Sequence, residues 1–545
     1  MWLLALLVAV CGWLLLRWIE ATRIDSEEAA FGLAHGCAPP KVLGFVWPLG
    51  LDLIVEAFRA AASGRILALF DRLVSRTGTT FEQRLLGVSG IDTIDPENIE
   101  AVLNSQFKGG VEPSSDPIGA VTQFGFGVRR PTFFPLLGDG IFTQDGSAWR
   151  HSRELLRPQF SKNRAQHFEQ IQTAVQKLVN QIPDGKPVDL QPLFFRFTLD
   201  TTTYLLFGES IGSLDATGSS HESATEEADF AEAFTVAQDF LAQRGRLGDL
   251  YWLIGGPKFW RACKTVHRFV DSMVRERLEN SNKKSAVLPE TESKQVFLDS
   301  LLLERQDVSA IRSQLLNVLL AGRDTTACCL SWTFRLLTQH PHVLAKLRAE
   351  IHQQVGTAPP TQYHLKKMTY LSWVLKEVLR LYPSVPINSR TALNTTTLPV
   401  GGGPDGKSPI LIRRGMAVGY CAYLMHRRKD LYGPDAYEFR PERWDGDLEK
   451  RVGWGYLPFN GGPRVCLGQD FALLEASLAI VRIIQTFPDI SASCPDGKDT
   501  TISSPSACHG PEKSVPEEGK IGSERQMITL VISSQDGCWV KPSRS

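Results

Sequence analysis

Hydrophobic and polar positions along this chain repeat mainly with a helical period. Apolar residues recur every three or four positions over long stretches, which predicts amphipathic helices. The predicted helices lie near Trp149 to Arg157, Phe168 to Gln181, Phe259 to Glu279, Ala310 to Thr338, Tyr370 to Leu381 and Leu467 to Phe487. Strand-like pieces lie near Phe81 to Thr93, Thr395 to Val400, Ile410 to Ile412 and Met527 to Ile532. The run Asp95-Pro96-Glu97 predicts a helix start with Asp95 as its N-cap. The pattern predicts a mainly α fold with small β-sheets.

The first residues differ from the rest because they are almost uniformly apolar. Trp2 to Leu16 carries no charge, and Arg17 is the first basic residue. This length suits a transmembrane anchor over residues 1–20 if Arg17 reaches the headgroups. The alternative is a cleaved signal peptide, but no basic segment precedes the run and no small-residue cleavage site follows it. Arg17 and Arg23 after the run predict a cytosolic body by the positive-inside rule.

The remainder of the chain is expected to form one large domain. Residues 21–48 contain adjacent prolines, Pro39 and Pro40, which predicts a stiff hinge after the anchor. Residues 49–545 show no second hydrophobic core with its own linker, although the length alone would allow about three or four domains. Within this domain, residues 491–524 are rich in Ser, Pro, Gly and charge, which predicts a flexible surface insertion.

Composition narrows the function classes. The 59 basic and 59 acidic residues cancel, so nucleic acid is not expected as a partner. Hydrophobic residues make up 43% of the chain, which is enough to exclude general disorder. The ten cysteines include no C-x-x-C pair, which removes the usual signal of zinc ribbons and thioredoxin-type sites.

A glycine-rich run from Gly401 to Ser408 matches G-x-x-x-x-G-K-S. That motif holds phosphate only when a helix begins directly after it. Here Pro409 to Ile412 follows, a short apolar run that is typical of a strand. We therefore interpret the glycines as a hairpin loop.

The segment from Phe459 to Gly468 surrounds Cys466 with unusual neighbours. Gly462 and Gly468 allow close backbone approach to a large flat ligand. Cys466 directly precedes a predicted helix, whose N-terminal dipole favours the metal-ligating thiolate. Arg464 adds a positive charge two residues away. An aromatic ring, glycines, a cation and a thiolate together suit an axial haem ligand.

This run resembles F-x-x-G-x-R-x-C-x-G, the haem-binding signature of the cytochrome P450 superfamily. The resemblance implies the cytochrome P450 fold, with a single large haem domain. It implies a haem-thiolate monooxygenase whose iron ligand is Cys466 and whose cofactor is haem b. Phe459, Gly462, Arg464 and Gly468 are then cofactor-binding residues. A thiolate ligand pushes electron density onto iron and favours O–O cleavage.

A second match lies in the long helix predicted over Ala310 to Thr338. There the run from Ala321 to Thr326 places Gly, Asp and Thr, which weaken a helix interior, inside an apolar stretch. A solvated bend is the alternative reading of these residues alone. The run resembles the family's A-G-x-D-T-T motif, which implies that Ala321 and Gly322 line a groove for dioxygen. Thr325 would hydrogen-bond there, and Asp324 would help to deliver protons.

Two shorter motifs support the same resemblance. Glu377 and Arg380 stand three residues apart and so share a helix face. The resemblance implies that they form a buried charge network with Arg443, and we assign this network a structural role.

Trp149 and Arg153 are spaced i, i+4 and also share a helix face. By resemblance both bind a haem propionate. The same resemblance assigns propionate contacts to Arg390 and Arg464.

Several runs resemble the fungal n-alkane and fatty-acid hydroxylase branch of the superfamily. They are His35 to Pro40, Pro135 to Thr143, Leu316 to Thr326 and Phe459 to Pro463. This resemblance implies terminal hydroxylation of long-chain n-alkanes or fatty acids. A monooxygenase of another lipophilic metabolite remains an alternative, since fold does not fix substrate. A haem-binding sensor without oxygenase activity is the alternative from another class, and Asp324 and Thr325 speak against it.

The chain shows no credible flavin, nicotinamide or iron–sulfur motif, so its electrons must come from another protein. The resemblance implies NADPH through a separate flavoprotein, NADPH-cytochrome P450 reductase. With the anchor, it predicts a single-pass protein of the endoplasmic reticulum membrane that contacts membrane lipids and a lipophilic small-molecule substrate. Candidate cations for reductase docking are Arg150, Arg157, Arg427, Arg428 and Lys429.

Overall fold

A computed structural model describes residues 22–107, 122–161, 164–215, 222–284, 296–304, 307–494 and 522–544. The chain forms two compact units. The first comprises Met1–Val55, Asp71–Gly127 and Ser389–Cys421, and the second comprises Glu56–Phe70, Val128–Asn388 and Ala422–Ser545. Segments that are far apart in the chain therefore meet within each unit.

Helices carry most of the fold, as the hydrophobic pattern predicted. Residues 22–34 are helical. The α-helices that follow are α1 Leu51–Ala62, α2 Ile66–Thr77, α3 Pro96–Glu100, α4 Arg129–Leu137, α5 Gly146–Ser161, α6 Arg164–Gln181, α7 Leu190–Phe207, α8 Glu222–Arg246, α9 Pro257–Lys284, α10 Phe297–Glu304, α11 Val308–Gln339, α12 Pro341–Gln354, α13 Gln362–Lys367, α14 Thr369–Leu381, α15 Ala422–Met425, α16 Lys429–Tyr432, α17 Leu448–Val452 and α18 Gln469–Thr486.

The strands are short. They are β1 Lys41–Val42, β2 Thr80–Leu85, β3 Val88–Thr93, β4 Phe124–Gly125, β5 Val188–Asp189, β6 Ile387–Ala392, β7 Thr396–Gly402, β8 Ser408–Ile412, β9 Ala417–Cys421, β10 Asp489–Ala492, β11 Gln526–Ile528, β12 Ile532–Ser534 and β13 Trp539–Ser543. The mainly α architecture with small sheets is confirmed.

The first unit holds most of the six-stranded sheet, in the order β1-β2-β3-β9-β6-β4. β2 and β3 are antiparallel, whereas β3 and β9 are parallel. β7 and β8 form a separate antiparallel hairpin, which joins Gly402 to Ser408 across the glycine-rich loop. A strand follows those glycines, so the interpretation as a hairpin loop is confirmed and the requirement for a phosphate-binding helix is not met.

The core of the second unit lies around α11. Side chains of α11 are buried for most of its length, from Ile311 to Leu337, because apolar residues occupy nearly all of its sides. Large apolar side chains of α8 and α9, among them Phe230, Phe234 and Phe259, complete this core. A central helix that is covered on all sides can hold polar residues only where a specific partner meets them.

Three local expectations need correction. Met527 to Ile532 is not one strand, because β11 and β12 form an antiparallel hairpin whose turn lies within that range. Asp95 occupies the N-cap position of α3 but makes no side-chain cap. Its carboxylate instead accepts a hydrogen bond from the Thr80 hydroxyl at 2.7 Å. The helix expected from Leu467 begins at Gln469, after Gly468.

The predicted anchor, residues 1–20, lies outside the described residues. Across the described ranges, no helix combines the length and the apolarity that crossing a bilayer requires. The predicted hinge is folded where it is described, since residues 22–34 are helical and β1 pairs in parallel with β2. Of the predicted insertion over 491–524, residues 495–521 lie outside the described residues.

Candidate active site

The loop before α18 folds back on itself around Cys466. The amide of Cys466 donates to the carbonyl of Phe459 at 3.0 Å, which closes the loop. Two residues within it, Asn460 and Gly462, have positive φ values of 63° and 66°. Gly462 adopts this conformation without strain, and asparagine is among the few other residues that tolerate it. The spacing of the motif thus reflects a specific backbone path that presents the thiol.

Side chains from α5 gather beside that loop. Arg153 donates from Nη1 to the carbonyl of Val465 at 2.9 Å. Trp149 is buried, and the guanidinium of Arg464 lies 4.3 Å from its ring centroid. The structure therefore brings Trp149 and Arg153 together with Arg464 and Cys466, which lie more than 300 positions later in the chain.

Arg464 has an acidic neighbour that sequence reasoning missed. Its Nη2 donates to Asp145 Oδ1 at 2.6 Å and to the carbonyl of Gln144 at 3.2 Å. Asp145 stands just before α5, and no motif in the sequence marks it as a partner. The pair holds the Arg464 side chain in place beside Trp149.

The surroundings of Cys466 fit a thiolate-ligated haem. Its side chain is accessible, yet burial raises the pKa of the thiol, while the Gly468 amide and the Arg153 charge lower it. A side chain that is accessible and desolvated at once faces a recess inside the protein. Arg153, Arg464 and Trp149 lie beside the same loop. The two cations suit the carboxylates of haem, and the thiol suits its iron. The Gly468 amide at the start of α18 lowers the pKa of the thiol, as the sequence predicted, but desolvation is the larger effect.

Arg390 belongs to the first unit, whereas the Cys466 loop belongs to the second. Within its own unit Arg390 is buried and lies 5.0 Å from the ring centroid of Phe126. Its Nη1 donates to the carbonyl of Ser389 at 2.7 Å. Its expected contact with the cofactor stays a prediction.

The A-G-x-D-T-T run lies in the middle of α11, which is α-helical at every residue there. The hydroxyl of Thr325 donates to the carbonyl of Ala321 at 2.8 Å, one turn back. Gly322 faces α7, where an added Cβ would come within 2.6 Å of the Thr202 hydroxyl. Glycine is therefore needed at this position for the close approach of the two helices, and the solvated-bend interpretation does not apply.

Asp324 lies on another side of α11 and meets α8. Its Oδ2 accepts a hydrogen bond from Gln238 at 2.5 Å, and its Oδ1 lies 3.7 Å from Arg323 Nε. Arg323 in turn donates to Gln238 and to the hydroxyl of Thr235, both at 2.9 Å. Burial raises the pKa of Asp324, although Arg323 and Gln238 oppose it. Because Thr235 is exposed, this network joins the buried carboxyl to the surface.

Glu475 is a buried acid near the same helix, and sequence reasoning missed it. It lies on α18 and accepts a hydrogen bond from the Thr201 hydroxyl of α7. Thr326 of α11 also hydrogen-bonds to it, but burial is the larger effect and raises the pKa of Glu475 to about 8. A charged residue in an otherwise apolar helical stretch was the only available signal.

The predicted charge network of Glu377, Arg380 and Arg443 is confirmed. Glu377 and Arg380 are fully buried and joined by two hydrogen bonds of 2.9 and 2.8 Å. Arg443 Nε donates to the same carboxylate at 3.0 Å, and the indole of Trp444 donates at 2.9 Å. The arginines hold the pKa of Glu377 below its usual value despite its burial.

This network is linked to the Cys466 loop through a histidine. His426 accepts a hydrogen bond from the amide of Leu457 at Nε2, at 2.8 Å, and its Nδ1 lies 3.1 Å from the carbonyl of Arg380. Burial lowers the pKa of His426 to about 3, so the ring is neutral and can accept and donate as required. Sequence reasoning did not single out His426.

One predicted docking cation is placed wrongly. Arg427 is buried, and its guanidinium lies 3.5 Å from the ring centroid of Tyr423. It therefore cannot present its charge to a partner protein. Arg157 and Lys429 are exposed, so they remain candidates.

Comparison with known proteins agrees with this geometry. The family model "Cytochrome P450" matches residues 59–506. The chain is 52% identical, over 94% of its length and 93% of the relative, to "Cytochrome P450" of Arthroderma benhamiae. It is 44% identical, over 76% of its length and 77% of the relative, to "Cytochrome P450 52A5" of Candida maltosa. A solved structure, that of the cytochrome P450DA heme domain, covers 93% of this chain and 98% of its own with a TM-score of 0.70 at 23% identity.

The chain belongs to the cytochrome P450 family. It is a monooxygenase and an oxidoreductase, its cofactor is haem b, and its electrons come from NADPH through a reductase. The solved structure supports the fold alone, whereas the family rests on the sequence matches.

Proposed function

We propose that this protein hydroxylates the terminal methyl group of long-chain n-alkanes or fatty acids. The resemblance to the alkane and fatty-acid hydroxylase branch supports this, as do relatives such as "Cytochrome P450 52A5" and "Cytochrome P450 52A13", the latter of Debaryomyces hansenii and 41% identical. The observation that carries the monooxygenase chemistry is the accessible but desolvated thiol of Cys466 beside Trp149, Arg153 and Arg464.

The loop residues divide the work of holding the cofactor. Cys466 supplies the thiolate that ligates iron, and bound haem supplies the activation of dioxygen. Phe459, Gly462 and Gly468 would let the backbone approach the bound cofactor. Trp149, Arg153 and Arg464 would hold its propionates by hydrogen bonds and charge.

Residues of α11 supply the hydroxyl and the carboxyl that proton transfer requires. Ala321 and Thr325 stand one turn apart on α11, where the Thr325 hydroxyl donates to the Ala321 carbonyl, and Gly322 packs against α7. Burial raises the pKa of Asp324, and its hydrogen bonds connect it through Gln238 and Arg323 to Thr235 at the surface. A hydroxyl and an acid on consecutive residues provide the general acid that oxygen activation needs.

The cellular setting follows from the same proposal. The apolar segment over residues 1–20 anchors the protein in the endoplasmic reticulum membrane by one pass, with the catalytic domain in the cytosol. NADPH-cytochrome P450 reductase in that membrane supplies the electrons. Membrane lipids surround the anchor, and lipophilic substrates reach the enzyme from the bilayer.

The iron ligand is tested on the purified protein by reduction and addition of carbon monoxide. Thiolate ligation gives the long-wavelength absorbance band of a sulfur-ligated ferrous haem, and Cys466→Ser abolishes it. Cys263→Ser, at a buried cysteine in the core, is the matched control and keeps the band. A histidine-type spectrum in the wild type contradicts the assignment.

The substrate class is tested by incubation with reductase, NADPH and a mixture of dodecane and lauric acid, with products identified by mass. Terminal alcohols are the expected products. If neither substrate is oxidised while other lipophiles are, the protein is a monooxygenase of another lipophilic metabolite and the substrate proposal fails.

A further inference from the structure

Arg246 is the last residue of α8 and lies at the edge of the core of the second unit. Its side chain is accessible, although partial burial lowers the pKa of its guanidinium. Its Nη2 donates to the carbonyl of Ile528 at the end of β11. A guanidinium has five N–H donors in a planar fork, so most of its capacity remains after this one bond.

Arg244 lies two residues earlier in the same turn and has a structural role, so it serves as a comparison for Arg246. It is buried, it donates to the carbonyls of Thr132, Ile254 and Pro131, and its guanidinium lies 5.0 Å from the ring of Tyr251. Its donors are used by the protein itself. Arg246 has no comparable set of carbonyl partners in the described ranges.

Two separate connections relate Arg246 to the catalytic helix. The first runs along α8, where Gln238 hydrogen-bonds to Asp324 of α11. Arg246 stands eight residues further along α8, which corresponds to about 12 Å at the rise of an α-helix. This separation is comparable to the length of a medium-chain alkyl group.

The second connection runs through the β11–β12 hairpin. The hydroxyl of Ser384 donates to the carbonyl of Thr325 at 2.9 Å, and the amide of Ile532 donates to the carbonyl of Ser384 at 3.0 Å. Ile532 is paired with Ile528, whose carbonyl accepts from Arg246. β12 of this hairpin is therefore linked to Thr325 through Ser384, and β11 is linked to Arg246.

Apolar side chains of the hairpin and of α8 pack against the core beside these two ends. Leu530, at the tip of the hairpin, packs against the core cluster formed by α8, α9 and α11. Phe240 of α8 packs against the same cluster. Asp239 lies about two turns back on the same face of α8, and its carboxyl is influenced by Arg246 and by Lys258 of α9. The negative charge of Asp239 neutralises the charge of Arg246 only in part, because Arg246, Arg323 and Lys258 share this one carboxyl.

We propose that Arg246 binds the carboxylate of a fatty-acid substrate whose alkyl chain runs along α8 and the β11–β12 hairpin toward Thr325. This inference rests on the proposed function and narrows its substrate class to fatty acids. The planar fork of arginine matches a carboxylate with two parallel hydrogen bonds. Holding the carboxylate at one end presents the opposite, methyl end of the chain to the oxygenating site.

The test measures equilibrium binding of lauric acid, methyl laurate and dodecane to the full-length, haem-loaded protein, followed by the absorbance change of the haem. Arg246→Gln is expected to weaken the binding of lauric acid at least tenfold. The affinities for the two uncharged ligands are expected to change less than twofold. Arg246→Lys keeps the charge without the fork and is expected to restore part of the affinity. Thermal unfolding of each variant shows that it is folded.

Lys258→Gln is the matched control, because it removes an exposed cation near the same aspartate. Its affinities for all three ligands are expected to stay within twofold of those of the wild type. Equal weakening of all ligands by Arg246→Gln, or an equal loss of lauric acid in Lys258→Gln, overturns this inference alone. A wild type that neither binds nor oxidises lauric acid and dodecane removes the proposed function and this inference with it.

Discussion

At the scale of single residues, environment changes the chemistry that residue type suggests. Glu475, an acid that would be charged at the surface, has a pKa of about 8 because it is buried on α18. His426 has a pKa of about 3 for the same reason and stays neutral. Cys466 is desolvated although its side chain is accessible. For Glu475 and His426 burial decides the protonation state, and burial is a property of the fold.

The raised pKa of Glu475 gives a pH-dependent prediction. The folded protein holds a proton on Glu475 between about pH 4.5 and pH 8, where the unfolded chain has lost it. Stability is therefore greatest below pH 4.5 on this account, and falls by about 1.4 kcal/mol per pH unit as pH rises toward 8. Glu475→Gln keeps the acceptor for Thr201 and removes this loss.

We expect the free energy of unfolding of Glu475→Gln, relative to the wild type, to increase by about 3 kcal/mol between pH 5.5 and 7.5 in urea titrations. Asp200→Asn is the comparison variant, because burial also raises the pKa of Asp200 but the amides of Ser213 and Leu214 oppose it, so a smaller change with pH is expected. A difference between Glu475→Gln and wild type that stays constant with pH would show that Glu475 is ionised in the folded protein.

Thr325 carries the second prediction at this scale. Thr325→Ala removes the only side-chain hydroxyl that we place at the oxygen-binding side of α11. NADPH consumption should continue, while product per NADPH falls several-fold and hydrogen peroxide appears, because proton delivery loses its last hydroxyl. Thr325→Ser retains the hydroxyl and should remain mostly coupled. Unchanged coupling in the alanine variant would defeat the assigned role.

At the scale of elements, packing between α7 and α11 explains residues that looked unfavourable in a helix. Thr198 of α7 donates to the carbonyl of Arg323 at 2.6 Å, and Thr202 of α7 lies against Gly322. The threonines of α7 are thus explained by α11, and the glycine of α11 is explained by α7. Neither helix could be understood from its own sequence, because each polar or small residue matches a neighbour more than 100 positions away.

Gly322→Ala tests this packing. Alanine improves helix propensity by about 1 kcal/mol, but its Cβ would lie 2.6 Å from Thr202 Oγ1 and 3.0 Å from Thr202 Cγ2. Overpacking of this kind typically costs about 1–3 kcal/mol, so we expect a net loss of stability in chemical denaturation.

The matched control is Thr202→Ala, which removes the other side of this contact. The Thr202 hydroxyl has no hydrogen-bond partner among the described residues, so its removal breaks no hydrogen bond there. In the double variant Gly322→Ala, Thr202→Ala the clash is gone, and stability should return above that of Gly322→Ala. A coupling energy of at least about 1 kcal/mol is expected from the double-mutant cycle. Additive effects of the two substitutions would contradict the close approach of the helices.

At the scale of the whole molecule, chain order and spatial order differ. The first unit combines Asp71–Gly127 with Ser389–Cys421, and the second combines Val128–Asn388 with Ala422–Ser545. The strand pairing of β3 with β9 shows how such distant segments are joined. A search for linkers along the sequence finds none of these boundaries, since each unit is closed by contacts rather than by a composition change.

The predicted anchor gives the test at this scale. Deletion of residues 2–19 should move most of the protein from the membrane pellet to the supernatant after cell fractionation, because an apolar segment of this length dominates membrane affinity. The deleted protein should keep its carbon monoxide spectrum, since Cys466 and its neighbours belong to the second unit. If the mature wild-type protein instead begins near residue 22, the segment is a signal peptide.

The amino-acid sequence by itself determined the helical character, the small sheets, the hairpin after Gly401 and the motif residues around Cys466. These features depend on local periodicity and on short spacings, which the order of residues contains directly. Only the tertiary structure decided that Asp145 pairs with Arg464, that Gln238 holds Asp324, that Glu475 is buried, and that Arg427 is unavailable for docking. Those facts depend on contacts between distant segments and on the desolvation that packing imposes, and neither quantity is a property of a residue or its sequence neighbours.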